Sequence, residues 1–120
     1  NSSLDAIKSS LEILEKEPSK RKIAVVGDIL EVGDYNKEIH ENIGNLLLEN
    51  KLDIIVTIGT DTKYTDKYLE ENNYTNYYHF NNESESHEKI KELLHEGDTV
   101  LFKGSHAIKL GNIVKYLMEE

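Results

Sequence analysis

The chain has 120 residues, the length of one ordinary domain, and carries a net charge of −9. Because nucleic-acid backbones are bound by basic surfaces, this acidic balance argues against a nucleic-acid partner. Cysteine is absent, which excludes disulfides and thiolate metal sites and fits a reducing, cytoplasmic setting. No apolar stretch approaches the roughly 20 residues that a membrane-spanning helix needs. We predict a single cytoplasmic domain over residues 1–120, and the start at Asn1 rather than at methionine indicates a piece of a longer protein.

The predicted elements alternate between helices and strands. Amphipathic helices, in which apolar residues recur every three or four positions, are predicted at residues 4–17, 36–50, 61–71, 84–95 and 106–119. Short apolar or aromatic runs predict strands at residues 22–27, 53–58, 76–80 and 99–103. Strands that alternate with helices in this way predict an α/β fold, with a mostly parallel sheet and helices on both faces.

The loop after the first strand reads Gly-Asp-Ile-Leu-Glu-Val-Gly, residues 27–33, and places two carboxylates between two glycines. In open α/β sheets ligands bind at the carboxyl ends of strands, so Asp28 and Glu31 are candidate site residues. These carboxylates can bind an ammonium group, or they can cap a helix and bind neighbouring backbone N–H groups. His40 on the following helix can bind a carboxylate or fix the loop, or it can simply pack against other helices. The residues alone leave these interpretations open.

A second candidate segment, Lys103-Gly104-Ser105, closes the fourth strand. Glycine lets the backbone approach a ligand closely, and the Ser105 hydroxyl can donate a hydrogen bond to a carboxylate. The start of the following predicted helix also favours an anion. The alternative is an ordinary strand-to-helix turn with Ser105 as the N-cap, and both roles are compatible.

These segments together resemble the C-terminal domain of the Mur ligases. The family has a Gly-Asp-(Met/Ile)-Leu-Glu-(Leu/Val)-Gly loop, a histidine seven residues after its second glycine, and a Lys-Gly-Ser-Arg segment after a strand. Asn1 resembles the asparagine that ends the family's Asp-x-Tyr-Asn motif near the nucleotide base. The similarity covers essentially the whole chain in the same order. One position departs from the pattern, because His106 stands where the family usually has arginine.

The resemblance implies a Rossmann-like, six-stranded domain at the C-terminal end of an ATP-dependent ligase of peptidoglycan precursors. Within the family it is greatest to members that join D-alanyl-D-alanine to UDP-N-acetylmuramoyl-tripeptide through an acyl phosphate. It further implies that N-terminal and central domains carry the main ATP and Mg²⁺ sites, and that this fragment alone is inactive. By the same resemblance, Asp28 and Glu31 face the incoming amine, whereas Lys103, Ser105 and His40 face the dipeptide carboxylate.

Two other functions remain open at this point. The chain can belong to a Mur-type ligase for another amino acid, or it can be a flavodoxin-like binding module without catalytic partners. The remaining histidines do not converge with carboxylates at recognised metal spacings, so no metal site is predicted. They are interpreted as surface or strand-edge residues: His79, His87 and His95.

Overall fold

A computed structural model describes residues 4–30, 32–105 and 108–119. The helices are α1 (Leu4–Lys16), α2 (Asn36–Glu49), α3 (Thr62–Glu71), α4 (His87–Leu93) and α5 (Gly111–Met118). The strands are β1 (Arg21–Gly27), β2 (Ile54–Ile58), β3 (Tyr77–Phe80) and β4 (Asp98–Lys103). Short 3₁₀ turns at Gly33–Tyr35 and Glu83–Glu85 precede α2 and α4. In the part of the chain that is described, no helix is long and apolar enough to cross a membrane.

All strand pairs of the sheet are parallel, in the order β3-β2-β1-β4. The central strand β1 pairs with β2 on one side and with β4 on the other, so that Val26 lies between Thr57 and Lys103. The predicted α/β fold with a parallel sheet is therefore confirmed. The described residues form four strands, two fewer than the resemblance implies for the whole domain.

Helices cover both faces of this sheet, as predicted. On one face, α1, α2 and α3 bury a cluster that includes Leu11, Leu47 and Leu69. On the other face, α4 and α5 contribute Ile90 and Ile113 to a second cluster. Successive residues of β1 alternate between the two clusters, which is why its sequence is continuously apolar rather than alternating apolar and polar.

The starts of two predicted helices differ from the structure by more than one residue. The predicted helix over 84–95 is a 3₁₀ turn followed by α4, because the Asn82 side chain caps the turn at Glu85 N–H. The predicted helix over 106–119 begins only at Gly111 among the described residues. Lys109 has a φ of 59°, a left-handed conformation that interrupts a right-handed helix.

The order of the strands creates a crevice at the carboxyl end of the sheet. After β1 the chain turns to the face covered by α2, whereas after β4 it turns to the face covered by α5. Because β1 and β4 are neighbours, their loops diverge at a topological switch point, where ligands of open α/β sheets bind. The two loops start from closely packed glycines, since a Cβ on Gly104 would lie 3.0 Å from Gly27 Cα. Both predicted site segments therefore meet at this crevice.

Candidate functional site at the switch point

The Asp28 carboxylate lies at the end of β1 and is bound to the backbone that starts α3. It accepts hydrogen bonds from the N–H groups of Thr60 (2.9 Å), Asp61 (3.0 Å) and Thr62 (2.9 Å). These N–H groups have no partner within the helix, and the helix dipole favours a negative charge beside them. Asp28 is only 4% exposed. Its carboxylate therefore joins the β1 loop to the β2 loop from inside the protein.

Gly59 makes this contact possible. Its φ of +124° is a conformation that favours glycine, and a Cβ at this position would lie 2.4 Å from the Asp28 carboxylate. Its N–H also donates to the carbonyl oxygen of Phe80 at the end of β3. The glycine therefore lets the loops after three strands approach one another.

His40 is fully buried on α2 and fixes the same loop. Its Nε2 accepts a hydrogen bond from the Ile29 N–H at 3.1 Å, and its Nδ1 lies 2.8 Å from the carbonyl oxygen of Asn36. Because Nε2 must accept and Nδ1 must donate, these contacts require the neutral ring with its proton on Nδ1. Thr65 on α3 donates its hydroxyl proton to the His40 carbonyl oxygen at 2.6 Å.

Ser105 links the β4 loop to the β1 loop. Its backbone N–H donates to the Asp28 carbonyl oxygen at 2.9 Å, and its Oγ accepts from the Leu30 N–H at 2.8 Å. A hydroxyl that accepts a hydrogen bond keeps its own proton to donate. Lys103 ends β4 opposite Val26 and is half-buried.

The structure therefore brings together the backbone positions of four predicted site residues: Asp28, His40, Lys103 and Ser105. Three of these side chains bind backbone groups of the protein. For Asp28 and His40 this is an interpretation that the residues alone left open, whereas Ser105 accepts a hydrogen bond from Leu30 in the β1 loop. Direct contact of these residues with substrate stays a prediction. Glu31, Asn1 and His106 lie outside the described residues.

The sequence did not point to a cavity of about 260 Å³ beside this site. Residues from the loops after β2, β3 and β4 line it, among them Gly59, Asn81, Asn82, Ile108 and Lys109. The position of these loops along the sequence could have indicated it, because each loop follows a strand and parallel strands end at one edge of the sheet. Polar residues dispersed over three loops form no motif, so a search for motifs could not find them.

A buried polar cluster also connects α3 to β2 and β3. Thr57 donates its hydroxyl proton to Asp66 at 2.6 Å, and His79 Nδ1 lies 2.8 Å from the other Asp66 oxygen. Burial raises the pKa of Asp66, and the hydrogen bond from Thr57 opposes that rise. His79 does lie on an edge strand, as predicted, but its ring contacts a carboxylate, because the register places it opposite Thr57.

Comparison with known proteins identifies the family. A family model described as the glutamate ligase domain of Mur ligases matches residues 1–106. The chain belongs to this family.

Relatives of this Mur ligase domain match it over its whole length. UDP-N-acetylmuramoyl-tripeptide–D-alanyl-D-alanine ligase of Synechocystis sp. is 31% identical over 120 residues, covering 100% of the chain and 26% of the relative. The enzyme of that name from Bacillus subtilis is 30% identical over 124 residues, covering 99% of the chain and 26% of the relative. The chain thus spans about a quarter of the length of these relatives, and the resemblance predicted from its motifs is confirmed.

Solved structures agree with this assignment. A MurF structure from Acinetobacter baumannii has a TM-score of 0.88 and 26% identity, covering 100% of the chain and 27% of that structure. The MurF ligase from Thermotoga maritima in complex with ADP has a TM-score of 0.79 and 26% identity, covering 98% of the chain and 26% of that structure. The fold of the Mur ligase domain is therefore the one observed here.

Three acidic or imidazole side chains of this domain are close enough to suggest a metal site. The candidate ligand atoms of Asp28, His40 and Asp61 lie within 4.8 Å of one another. Both His40 nitrogens already form hydrogen bonds with backbone groups, however, and Asp28 accepts hydrogen bonds from three backbone N–H groups. A metal ion here would have to replace these hydrogen bonds, so the group does not form a ready ligand set.

Proposed function

We propose that the chain is the C-terminal domain of an ATP-dependent ligase that joins D-alanyl-D-alanine to UDP-N-acetylmuramoyl-tripeptide in the cytoplasm. The observation that carries this proposal is the alignment of the entire chain with a ligase of that name at 31% identity. The chain covers only 26% of that relative, so the activity belongs to a longer parent protein with N-terminal and central domains.

ATP, with Mg²⁺, would transfer its terminal phosphoryl group to the tripeptide carboxylate, leaving ADP and an acyl phosphate. The amine of the dipeptide would then attack the acyl carbon and displace phosphate, which gives the pentapeptide. The sequence contains no G-x-x-x-x-G-K-[ST] loop, so the domains that precede this one would hold the triphosphate. Asn1 would contribute to binding of the nucleotide from the start of this domain. The C-terminal domain would supply position and charge, because a reacting amine held beside its target needs no further encounter.

The residues at the switch point would act in two ways. Asp28 and His40 would shape the substrate-facing loops, because their side chains bind backbone groups of those loops. Lys103 and the hydroxyl proton of Ser105 would be directed at the carboxylate of the dipeptide. Glu31 would face its ammonium group. The roles of Asp28, His40 and Ser105 are supported by their hydrogen bonds, in which Ser105 accepts a bond and keeps its proton. The roles of Lys103 and Glu31 follow from the family resemblance.

The test is phosphate release by the full-length parent with ATP, Mg²⁺ and UDP-N-acetylmuramoyl-tripeptide. The assay is run with D-alanyl-D-alanine, with D-alanine and with single L-amino acids. Release that depends on the dipeptide is the expected result. Release with a different amine would support a Mur-type ligase but contradict D-alanyl-D-alanine as its substrate. No release by the folded parent would favour a binding module. The isolated chain is expected to be inactive in the same assay.

A further inference from the structure

Helix α3 buries a mostly polar face. Its buried residues are Thr62, Thr65, Asp66 and Leu69, and of these only Leu69 is apolar. In α1, by contrast, every buried residue is apolar: Ile7, Leu11 and Leu14. Apolar packing is not directional, whereas a hydrogen bond fixes both the distance and the angle between two groups. The position of α3 is therefore set mainly by the partners of its polar groups.

The first part of α3 holds the β1 loop. The N–H of Thr62 donates to the Asp28 carboxylate, and the hydroxyl of Thr65 donates to the carbonyl oxygen of His40. The His40 ring in turn accepts from the N–H of Ile29. Two consecutive loop residues, Asp28 and Ile29, thus depend on α3 either directly or through one intermediate residue. A displacement of α3 would therefore displace the loop.

Asp66 connects α3 to the sheet. Its carboxylate accepts the hydroxyl proton of Thr57 on β2 at 2.6 Å and lies 2.8 Å from the Nδ1 of His79 on β3. An ionised carboxylate can only accept, so His79 must donate from Nδ1. Asp66 is only 8% exposed, and a buried carboxylate without hydrogen-bond donors would be costly. The two strands therefore hold α3 through this single side chain.

The contacts of α3 with the loop and with the sheet lie close together. Asp66 follows Thr62 by four positions, which places both residues on the same side of the helix, about 5–6 Å apart. The Nε2 of His79 is buried and has no hydrogen-bond partner among the residues that the structure describes. The His79 ring therefore acts in this cluster through Nδ1 alone, one helical turn from the residue that binds Asp28.

We propose that Asp66 and His79 are positioning residues of the ligase, which fix α3 on the sheet and thereby place the β1 loop that carries Asp28. The inference rests on the proposed function and adds to it two residues that act from outside the switch point. Placement of this kind matters for a reaction that depends on proximity, because a misplacement of about 1 Å can lower a rate about a hundredfold.

The first test measures steady-state kinetics of the full-length parent carrying His79→Leu, which removes the Nδ1 donor. The KM for D-alanyl-D-alanine should rise about threefold to thirtyfold, the range of coupling that such networks carry. The KM for ATP should change by less than about twofold on the same scale. His79→Asn should restore most of the affinity, because its amide nitrogen can donate in place of Nδ1. His95→Leu, at an exposed position, is the matched control.

These kinetics separate positioning from simple loss of stability. A variant that is only less stable contains less active enzyme, so its kcat falls while its KM for every substrate stays the same. That result, or unchanged kinetics, would overturn the inference and leave the ligase intact. Thr57→Val removes the other donor to Asp66 with little change of shape, and it should raise the same KM if His79→Leu does not fold.

A double-mutant cycle tests whether His79 acts through the loop. The parent is measured with His79→Leu, with Asp28→Asn and with both substitutions. Because both residues hold the same loop, the two losses in kcat/KM for the dipeptide should be less than additive. Fully additive losses would mean that His79 and Asp28 act independently, which contradicts the proposal.

Amide hydrogen exchange tests the same idea in the chain without substrate. His79→Leu should speed exchange of the Thr62 N–H about tenfold to a hundredfold more than exchange of the Val25 N–H in the central strand, which opens with the whole fold. Equal acceleration at both positions would mean that the cluster only stabilises the fold, and would overturn the inference. A parent that does not use the dipeptide would overturn the proposed function, whereas the exchange result would still decide whether His79 holds the loop.

Discussion

The carboxylate of Asp28, at the end of β1, accepts a hydrogen bond from the backbone N–H of Thr62, the first residue of α3, at 2.9 Å. The two residues are 34 positions apart in the sequence. Through this contact, a loop that carries predicted site residues is held by a helix that follows a different strand. Several consequences of this arrangement can be measured.

Replacing Asp28 with asparagine should destabilise the chain by about 1–3 kcal/mol. The NH₂ group of asparagine would face N–H groups that now donate hydrogen bonds to the carboxylate. The substitution would also remove the negative charge beside the start of α3. Urea unfolding measures the effect. Asp34→Asn, at an exposed position of the 3₁₀ turn, is the control and should change stability by less than about 0.5 kcal/mol. Equal stabilities of the two variants would mean that Asp28 does not hold the loop.

Alanine at Gly59 should destabilise the chain more than alanine at Gly97. Both glycines have positive φ, at +124° and +94°, so both variants introduce backbone strain. Only at Gly59 does the added Cβ meet a carboxylate, at 2.4 Å, whereas at Gly97 its nearest neighbour is the Lys20 side chain at 3.5 Å. The difference between the variants should reach about 1–3 kcal/mol in urea unfolding, the cost of overpacking. Similar losses of stability in the two variants would show that the Asp28 carboxylate can move away from the added Cβ at little cost.

Phenylalanine at His40 should leave the Ile29 N–H without its acceptor and cost about 1–3 kcal/mol. Because this N–H belongs to a loop that we propose faces the substrate, the variant should also lower kcat/KM of the full-length parent. His95→Phe, at an exposed position, provides the comparison. If His40→Phe proves as stable and as active as His95→Phe, the ring does not fix the loop.

At acid pH, the chain should lose the stability that Asp98 contributes to the folded state. The hydrogen bond from Arg21 lowers the pKa of Asp98 despite its partial desolvation, and the Arg21 Nη2 lies 2.7 Å from its carboxylate. A lowered pKa contributes stability that is complete above the ordinary value and is lost as the pH falls through the folded value. The ordinary value for aspartate is about 3.9, so the loss should lie below about pH 4.

The measurement compares the unmodified chain with Asp98→Asn in urea between neutral pH and acid. The unmodified chain should be more stable at neutral pH, and the difference should shrink below about pH 4. Glu12→Gln on the exposed side of α1 controls for the general effect of removing one negative charge. A difference that stays constant into acid would contradict the assignment.

The sequence was sufficient to predict much of the fold. The predicted bounds of β1, β2, β3 and β4 each differ from the observed ones by only one residue, at the first position. The strands were predictable because their apolar and aromatic residues pack into the two clusters between sheet and helices. The starts of α4 and α5 were less predictable. They depend on the Asn82 cap and on the left-handed Lys109, and neither feature leaves a periodic pattern.

The site was predictable in its position but not in its contacts. Asp28 and Ser105 stood out because each follows a strand of a parallel sheet, and such strands end at one edge. That the Asp28 carboxylate would bind Thr60, Asp61 and Thr62 depends on how two loops pack in space, which spacing along the chain does not encode. The cavity beside Lys109 could not be found for the same reason.

The central claim is tested most directly by the product of the full-length parent. The enzyme is incubated with ATP, Mg²⁺, UDP-N-acetylmuramoyl-tripeptide and D-alanyl-D-alanine, and the nucleotide product is identified by mass spectrometry. The account predicts the pentapeptide, whose mass is that of both substrates less one water. Recovery of only the unmodified tripeptide from folded, ATP-bound protein would contradict it.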